Sequence, residues 1–379
     1  MTNEEYRRAV SDIAWLCACA VNGKIPDRDR IDGMDLSAVY QSAERHLLKG
    51  ITAIALESAG VRNEEFTQAL GKAVRKTAAM DLERARILDA LEKAGIWYMP
   101  MKGSVLQDLY PRIGMRQMAD NDILYNESRT EDILPLMESL GMETDPHNGR
   151  GVHDHYYKKP VCSFEMHRKL FDQSQEKTLA DYYRDVKSRL VRDPGKEFGF
   201  HFREEDFYVY MIAHEYKHYS GGGTGLRSLL DIYVYNMKKG DTLDREYVEG
   251  ELEKLGLTEF EKRNRDLADH LFGEGEIGEN DREMLDYILS SGTYGTIGNR
   301  VKNRMERYGN GPLQKVRYIL GRIFLPLDTV RSAFPVFIRY PVLLPFLPFY
   351  RVIRGLVNRR SKLKAEWMAL NQYQKKKDG

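Results

Sequence analysis

The sequence predicts an α+β fold, with a small mixed sheet set between helical segments. Three observations predict it. Residues 1–95 and 176–290 carry apolar side chains at helical spacing. Residues 96–175 change to short apolar runs with period two, punctuated by turn residues. The 379 residues are 42% hydrophobic and 30% charged, enough for sizeable cores in two or three domains.

The elements follow in order. Residues 4–21 and 35–59 read as helices, the second through Leu36, Val39, Tyr40, Ala43, Leu47 and Leu48. Residues 64–94 are rich in Ala, Leu, Glu, Lys and Arg and predict one long helix stopped by Gly95. Residues 1–95 are therefore expected to form a helical bundle. Residues 96–101 read as a buried strand, 104–110 as a short helix and 120–125 as a second strand. Residues 130–140 predict a helix ended by Gly141, with Ser128 or Thr130 as its cap. Residues 153–158 and 161–167 predict a strand pair around Lys159-Pro160. Helices return at 207–219, 226–238, 250–273 and 281–290, and 291–379 form a basic extension containing prolines and aromatics.

The net charge of +1 conceals an asymmetry. Residues 301–379 carry 17 Lys and Arg against 4 Asp and Glu, a balance of +13, while the first 300 residues balance at −12. Such a tail suits the protein's own acidic body, an anionic membrane surface or nucleic acid. The three cysteines, Cys17, Cys19 and Cys162, argue against a disulfide scaffold. The N-terminus has no basic-then-apolar leader and no apolar run is long enough to span a bilayer, so a cytoplasmic location is expected.

The chemistry concentrates between residues 96 and 167. An apolar run ends in Lys102-Gly103-Ser104, and Asp120 and Asp122 follow. Glycine lets a backbone approach a phosphate closely. Carboxylates two residues apart on a strand point to one side, where their repulsion calls for a cation. Glu165 alternates with Phe164 and Met166, which places it and His167 opposite the core face. Lys102 and Arg116 are candidates to neutralise phosphates, with an ordinary salt bridge as the alternative.

These residues resemble the nucleotidyltransferase fold of the DNA polymerase β superfamily: a strand, Gly-Ser, a helix, a strand with Asp-x-Asp and a later third carboxylate. More narrowly, the chain resembles an uncharacterised bacterial nucleotidyltransferase-like family through Lys102-Gly103, Tyr110-Pro111, Arg116, the Asp120–Leu124 run and Glu165-Met166-His167. The Asn121 between the two aspartates departs from that pattern, where an apolar residue is usual. The resemblance implies a catalytic module at 96–175 that transfers a nucleoside monophosphate from an NTP such as ATP to an acceptor hydroxyl. It also implies two Mg2+ ions, with Mn2+ as a substitute, on Asp120, Asp122 and Glu165. Lys102, Gly103, Ser104 and Arg116 are then the nucleotide-binding residues. A non-catalytic nucleotide-binding regulator of the same fold is the alternative.

A second signal points elsewhere. His214-Glu215-Tyr216-Lys217-His218 matches the H-E-x-x-H pattern of zinc peptidases, whose histidines share one helix face. The charged Lys217 and the lack of a third ligand at standard spacing count against it. Residues 221–225, Gly-Gly-Gly-Thr-Gly, join two helices and read as a flexible connector or flap rather than a phosphate loop.

Overall fold

Local capping and apolar spacing explain the N-terminal helices in the computed structural model, which describes residues 1–145, 148–149, 151–309, 311, 313–358 and 360–378. They are α1 (Asn3–Val21), α2 (Arg28–Asp32), α3 (Leu36–His46), α4 (Lys49–Ser58) and α5 (Glu64–Lys93). Thr2 and Glu5 form a capping box at the start of α1, and Asn63 accepts from the Phe66 amide at the start of α5. The helix expected over 35–59 is two helices, because Leu47 adopts a left-handed conformation with φ 56°.

Next come β1 (Tyr98–Pro100), α6 (Gly103–Leu106), β2 (Asn121–Tyr125), α7 (Thr130–Ser139), β3 (Glu143–Thr144), β4 (His153–Lys158) and β5 (Cys162–His167). The sheet order is β1-β2-β5-β4-β3. β2 and β5 run parallel and the other pairs are antiparallel, so the sheet is mixed. Neither Ser128 nor Thr130 caps α7; Asn126 caps the 3-10 turn that leads into it.

Alternation along the strands gives the sheet two covered faces. Ile123, Tyr125, Phe164 and Met166 pack with Met80 and Ile87 of α5 and Ile133 of α7. Met99 and Leu124 join the larger core on the other side.

That larger core brings the N-terminal helices together with later ones. These are α8 (Lys177–Tyr182), α9 (Glu204–Gly221), α10 (Leu226–Lys239), α11 (Arg245–Leu255), α12 (Thr258–Phe272) and α13 (Glu279–Ser291), while α14 (Ile297–Arg307) packs in a separate small cluster with Tyr318 and Leu370. Ile13, Leu16 and Ile51 share it with Tyr208, Ile212, Leu229 and Leu267. Burial of each such side chain contributes about 1.5–3 kcal/mol. A short hairpin of β6 (Leu190–Arg192) and β7 (Phe200–Phe202) interrupts the helical run; its three-residue strands are too short for period two to register. Cys17, Cys19 and Cys162 are free and buried. Among the described residues no helix is long and apolar enough to cross a membrane.

Candidate active site

Parallel pairing of β2 with β5 sets Asp122 opposite Glu165. Asp120 precedes β2 on the same side as Asp122. The Asp122 and Glu165 side chains are 19% and 18% exposed, so their charges are only partly hydrated. On the far side of β5, β4 sets His155 opposite Glu165 and His153 opposite His167. Glu165 Oε2 lies 3.3 Å from His167 Nε2 and 3.5 Å from His153 Nε2, and its Oε1 lies 3.5 Å from His155 Nδ1. His167 Nε2 also lies 3.3 Å from Asp122 Oδ1. Asp122 and Glu165 thus face one another with His167 between them, and both charges act on Asp120.

The electrostatics follow from this crowding. Burial, then the charges of Asp122 and Glu165, push the Asp120 carboxyl up to about 6. Burial opposes the His167 charge, but hydrogen bonding to Asp122 and Glu165 overrides it and raises the ring to about 9. Burial likewise opposes ionisation of Glu165, and the hydrogen bond from His167 with the neighbouring imidazoles brings it down to about 2. Burial and the charge of His167 lower His153 to about 4. In this state the His167 imidazolium is the local countercharge.

Asn121 points to the opposite face of β2, is 1% exposed and accepts from Arg84 Nη1 at 3.0 Å. It ties the strand to α5, so the polar residue between the two aspartates does not enter the site. Near Asp120, Lys76 donates to the Ala119 carbonyl at 2.8 Å and Arg227 to the Gln117 carbonyl at 2.8 Å. Both cations act on the Asp120 charge.

The Lys102-Gly103-Ser104 corner follows β1. Lys102 carries the unusual backbone φ 27°, ψ −81°, a left-handed twist that a side chain rarely adopts. Its Nζ lies 2.8 Å from His214 Nδ1. Ser104 Oγ is buried and donates to the Met101 carbonyl at 2.9 Å. A Cβ on Gly103 would stand 3.0 Å from Met118 Cε and 3.3 Å from Arg116 Nη1.

Arg116 was expected to face phosphate. Instead it is 5% exposed and forms two bonds to Asp231 of α10, 2.8 Å from Nε and 2.9 Å from Nη2. Tyr110 Oη donates to the same carboxylate at 2.8 Å, and Arg116 Nη1 donates to the Gly103 carbonyl at 3.2 Å. The Arg116 guanidinium therefore fastens the glycine corner to α10.

The chain matches, over residues 32–273, the family model described as an uncharacterised nucleotidyltransferase. The chain belongs to this family. No curated protein and no solved structure matches it. The matched stretch contains all three carboxylates, the Lys102–Ser104 corner and α9 to α12. Nucleotidyl transfer is the general activity that membership supports. The His214 and His218 rings lie 4.6 Å apart at their centroids on one helix face. Lys102 occupies Nδ1 of His214, and Glu215 turns away to the buried neighbourhood of Thr224 and Ser228. Among the described residues, the group of donors close enough to share an ion is His153, Glu165 and His167, within 4.8 Å of one another.

Asp120 and Asp122 offer hard oxygens beside that group, and the Nδ1 atoms of His153 and His167, the ring nitrogens that do not meet Glu165, are buried and unpartnered. These donors suit a divalent ion. His153 and His155 were missed in the sequence. Their signal was present: pairing 158 with 162 across Lys159-Pro160 places 155 against 165 and 153 against 167.

Proposed function

We propose that the chain transfers a nucleoside monophosphate from an NTP to an acceptor hydroxyl, with residues 96–175 as its catalytic module. The observation that carries this reading is the register of Asp122 against Glu165, with Asp120 alongside. Asp120, Asp122 and Glu165 would hold two divalent ions, Mg2+ or Mn2+. Such ions neutralise a triphosphate and polarise its α-phosphate. The backbone of Gly103 and Ser104 would receive the β- and γ-phosphates, on the side away from Met118 and Arg116, which fill the Cβ direction of Gly103. Arg116 and Asp231 hold that corner in position. Glu165, kept ionised by the surrounding imidazoles, accepts the proton of the attacking hydroxyl. A bond forms from that oxygen to the α-phosphorus as the bridge to the β-phosphate breaks, and pyrophosphate leaves.

Calorimetric titration of ATP and the other NTPs, with and without Mg2+, tests this. Metal-dependent binding is expected in the wild type and is lost in the Asp120→Asn/Asp122→Asn variant. Once an acceptor is found, Asp122→Asn should lower turnover about 10²–10³-fold, the range for removing one preorganised transition-state contact. Retained turnover would end the metal-carboxylate mechanism. A non-catalytic nucleotide-binding regulator is the second reading, favoured by His167 already neutralising the carboxylates. Nucleotide binding without pyrophosphate release under any acceptor would select it.

The C-terminal segment supports a peripheral membrane contact rather than a nucleic-acid one. Val342, Phe346, Phe349 and Ile353 are each more than 60% exposed on neighbouring turns, with Arg351 and Arg354 among them. Exposed apolar and aromatic groups interleaved with arginine suit an anionic lipid interface.

A further inference from the structure

A cavity of about 770 Å3 opens between the end of α9 and α14. Its inner wall includes His218, which lies within electrostatic reach of Asp122. Its outer wall is α14, whose Arg300, Arg304 and Arg307 fall on one helix face at spacings of four and three. Lys217 of α9 joins them, and Glu176 is the single acidic residue of the lining. Lys177 also lines the cavity but pairs with Asp181. Among the described residues, Lys217, Arg300, Arg304 and Arg307 form no ion pair with a carboxylate. Lys217 lies over the Phe171 ring, Arg307 donates to the Ser220 carbonyl, and Glu176 acts on both, but one carboxylate does not balance four cations, which repel one another unless an anion joins them.

The arrangement is built rather than a loose solvated face. Val301 and Met305, on the other side of α14, are buried with Tyr318 and Leu370. Asn303 Nδ2 donates to the Tyr219 and Ser220 carbonyls, both at 3.1 Å, and fixes α14 against the end of α9. The glycine loop seals the junction. Gly223 has φ 108°, a Cβ there would lie 1.9 Å from Ser291 Oγ, and the Gly222 carbonyl accepts from Thr296 at 2.9 Å. The loop that reads as a flexible connector or flap is packed against α13 and the start of α14.

We propose that this cavity binds the phosphate groups of a phosphorylated acceptor, presenting its hydroxyl to the carboxylate centre. The acceptor role rests on the nucleotidyl-transfer reading above. The choice of acceptor over donor comes from location. The carboxylates and the Gly103 corner lie within the family-matched residues 32–273, whereas α14 lies outside them. The arginine wall thus stands apart from the carboxylates and the Gly103 corner that would hold the donor triphosphate, none of which lines the cavity. Its volume is within the usual 300–1,000 Å3 of small-molecule sites, and arginine binds phosphate oxygens bidentately.

The test is titration of inorganic pyrophosphate into the full-length protein in EDTA, where the carboxylate centre has no metal. Binding is expected in the wild type, unchanged in Asp120→Asn/Asp122→Asn and at least tenfold weaker in Arg300→Gln/Arg304→Gln. Mg·ATP binding should be the same in that arginine variant as in the wild type. If Arg304→Gln melts early, Arg300→Gln/Arg307→Gln replaces it, since both positions are exposed. No pyrophosphate binding to the wild type, or equal binding in the arginine variants, overturns the cavity as a phosphate site. A matching loss of Mg·ATP binding overturns the acceptor assignment and gives these cations to the donor triphosphate. Failure of Mg·ATP to bind the wild type strikes the transfer reading separately, because the EDTA titration does not depend on it.

Discussion

Asp122 and Glu165 stand opposite one another on parallel strands, and the Nε2 of His167 lies 3.3 Å from an oxygen of each. One imidazole therefore bridges two carboxylates that are 43 residues apart in sequence. This bridge is the natural place to probe the centre without a substrate.

Stability of the metal-free protein should depend on pH through His167. In the unfolded chain the ring titrates near 6.5; in the fold it is raised to about 9. Below pH 6.5 both states are protonated and the bridge contributes fully. Its contribution falls as pH rises through 9, a loss of about 3 kcal/mol. The lowered Glu165 carboxyl is the same contact seen from its other end and is not counted again. Urea unfolding from pH 6 to 10 should show this decline in the wild type and lose it in His167→Gln. Identical slopes in the two proteins would mean that His167 is not the bridging cation.

The Arg116–Asp231 pair should be a point of global fragility. The two side chains are 4% and 3% exposed, and Tyr110 shares the carboxylate. Asp231→Ala leaves a buried guanidinium without its partner and should destabilise by about 3–5 kcal/mol. Thermal and urea melts measure this. A loss below 1 kcal/mol would show that water reaches Arg116.

Two neighbouring glycines should respond differently to alanine. At Gly223 the left-handed backbone and the contact with Ser291 oppose any side chain, and the loss should be about 1–3 kcal/mol. At Gly221, the last residue of α9, a Cβ meets nothing within 4 Å, so Gly221→Ala should be neutral or slightly stabilising. Equal melting temperatures for the two variants would remove the packed-loop description.

The exposed C-terminal apolar groups should carry membrane affinity. Flotation with phosphatidylglycerol-containing vesicles is expected to recover the wild type and to lose Phe346→Ser/Phe349→Ser/Ile353→Ser, with no change in melting of the protein. Recovery of both proteins alike would assign any binding to the basic residues alone.

Much of this protein is written in local pattern. Period two placed Phe164 and Met166 inward and Glu165 outward, and the structure agrees. The 64–94 helix and the strand pair around Lys159-Pro160 were legible because capping, spacing and turns act within a few residues. The breaks at Leu47 and between α11 and α12 were not, since apolar spacing continues through them while the backbone turns. Of the candidate site, Asp120, Asp122, Glu165 and His167 could be named from sequence, while His153 and His155 follow only once β4 is registered against β5. Whether Arg116 meets phosphate or Asp231 depends on α10, 115 residues away. The partner of Lys102 is a histidine 112 residues on, and the arginines of α14 face a cavity walled by α9. The sequence by itself determined which residues repeat at helix or strand period, because those forces are local. Tertiary structure alone decided which charges meet, because desolvation and Coulomb energy depend on distances that only the packed core sets.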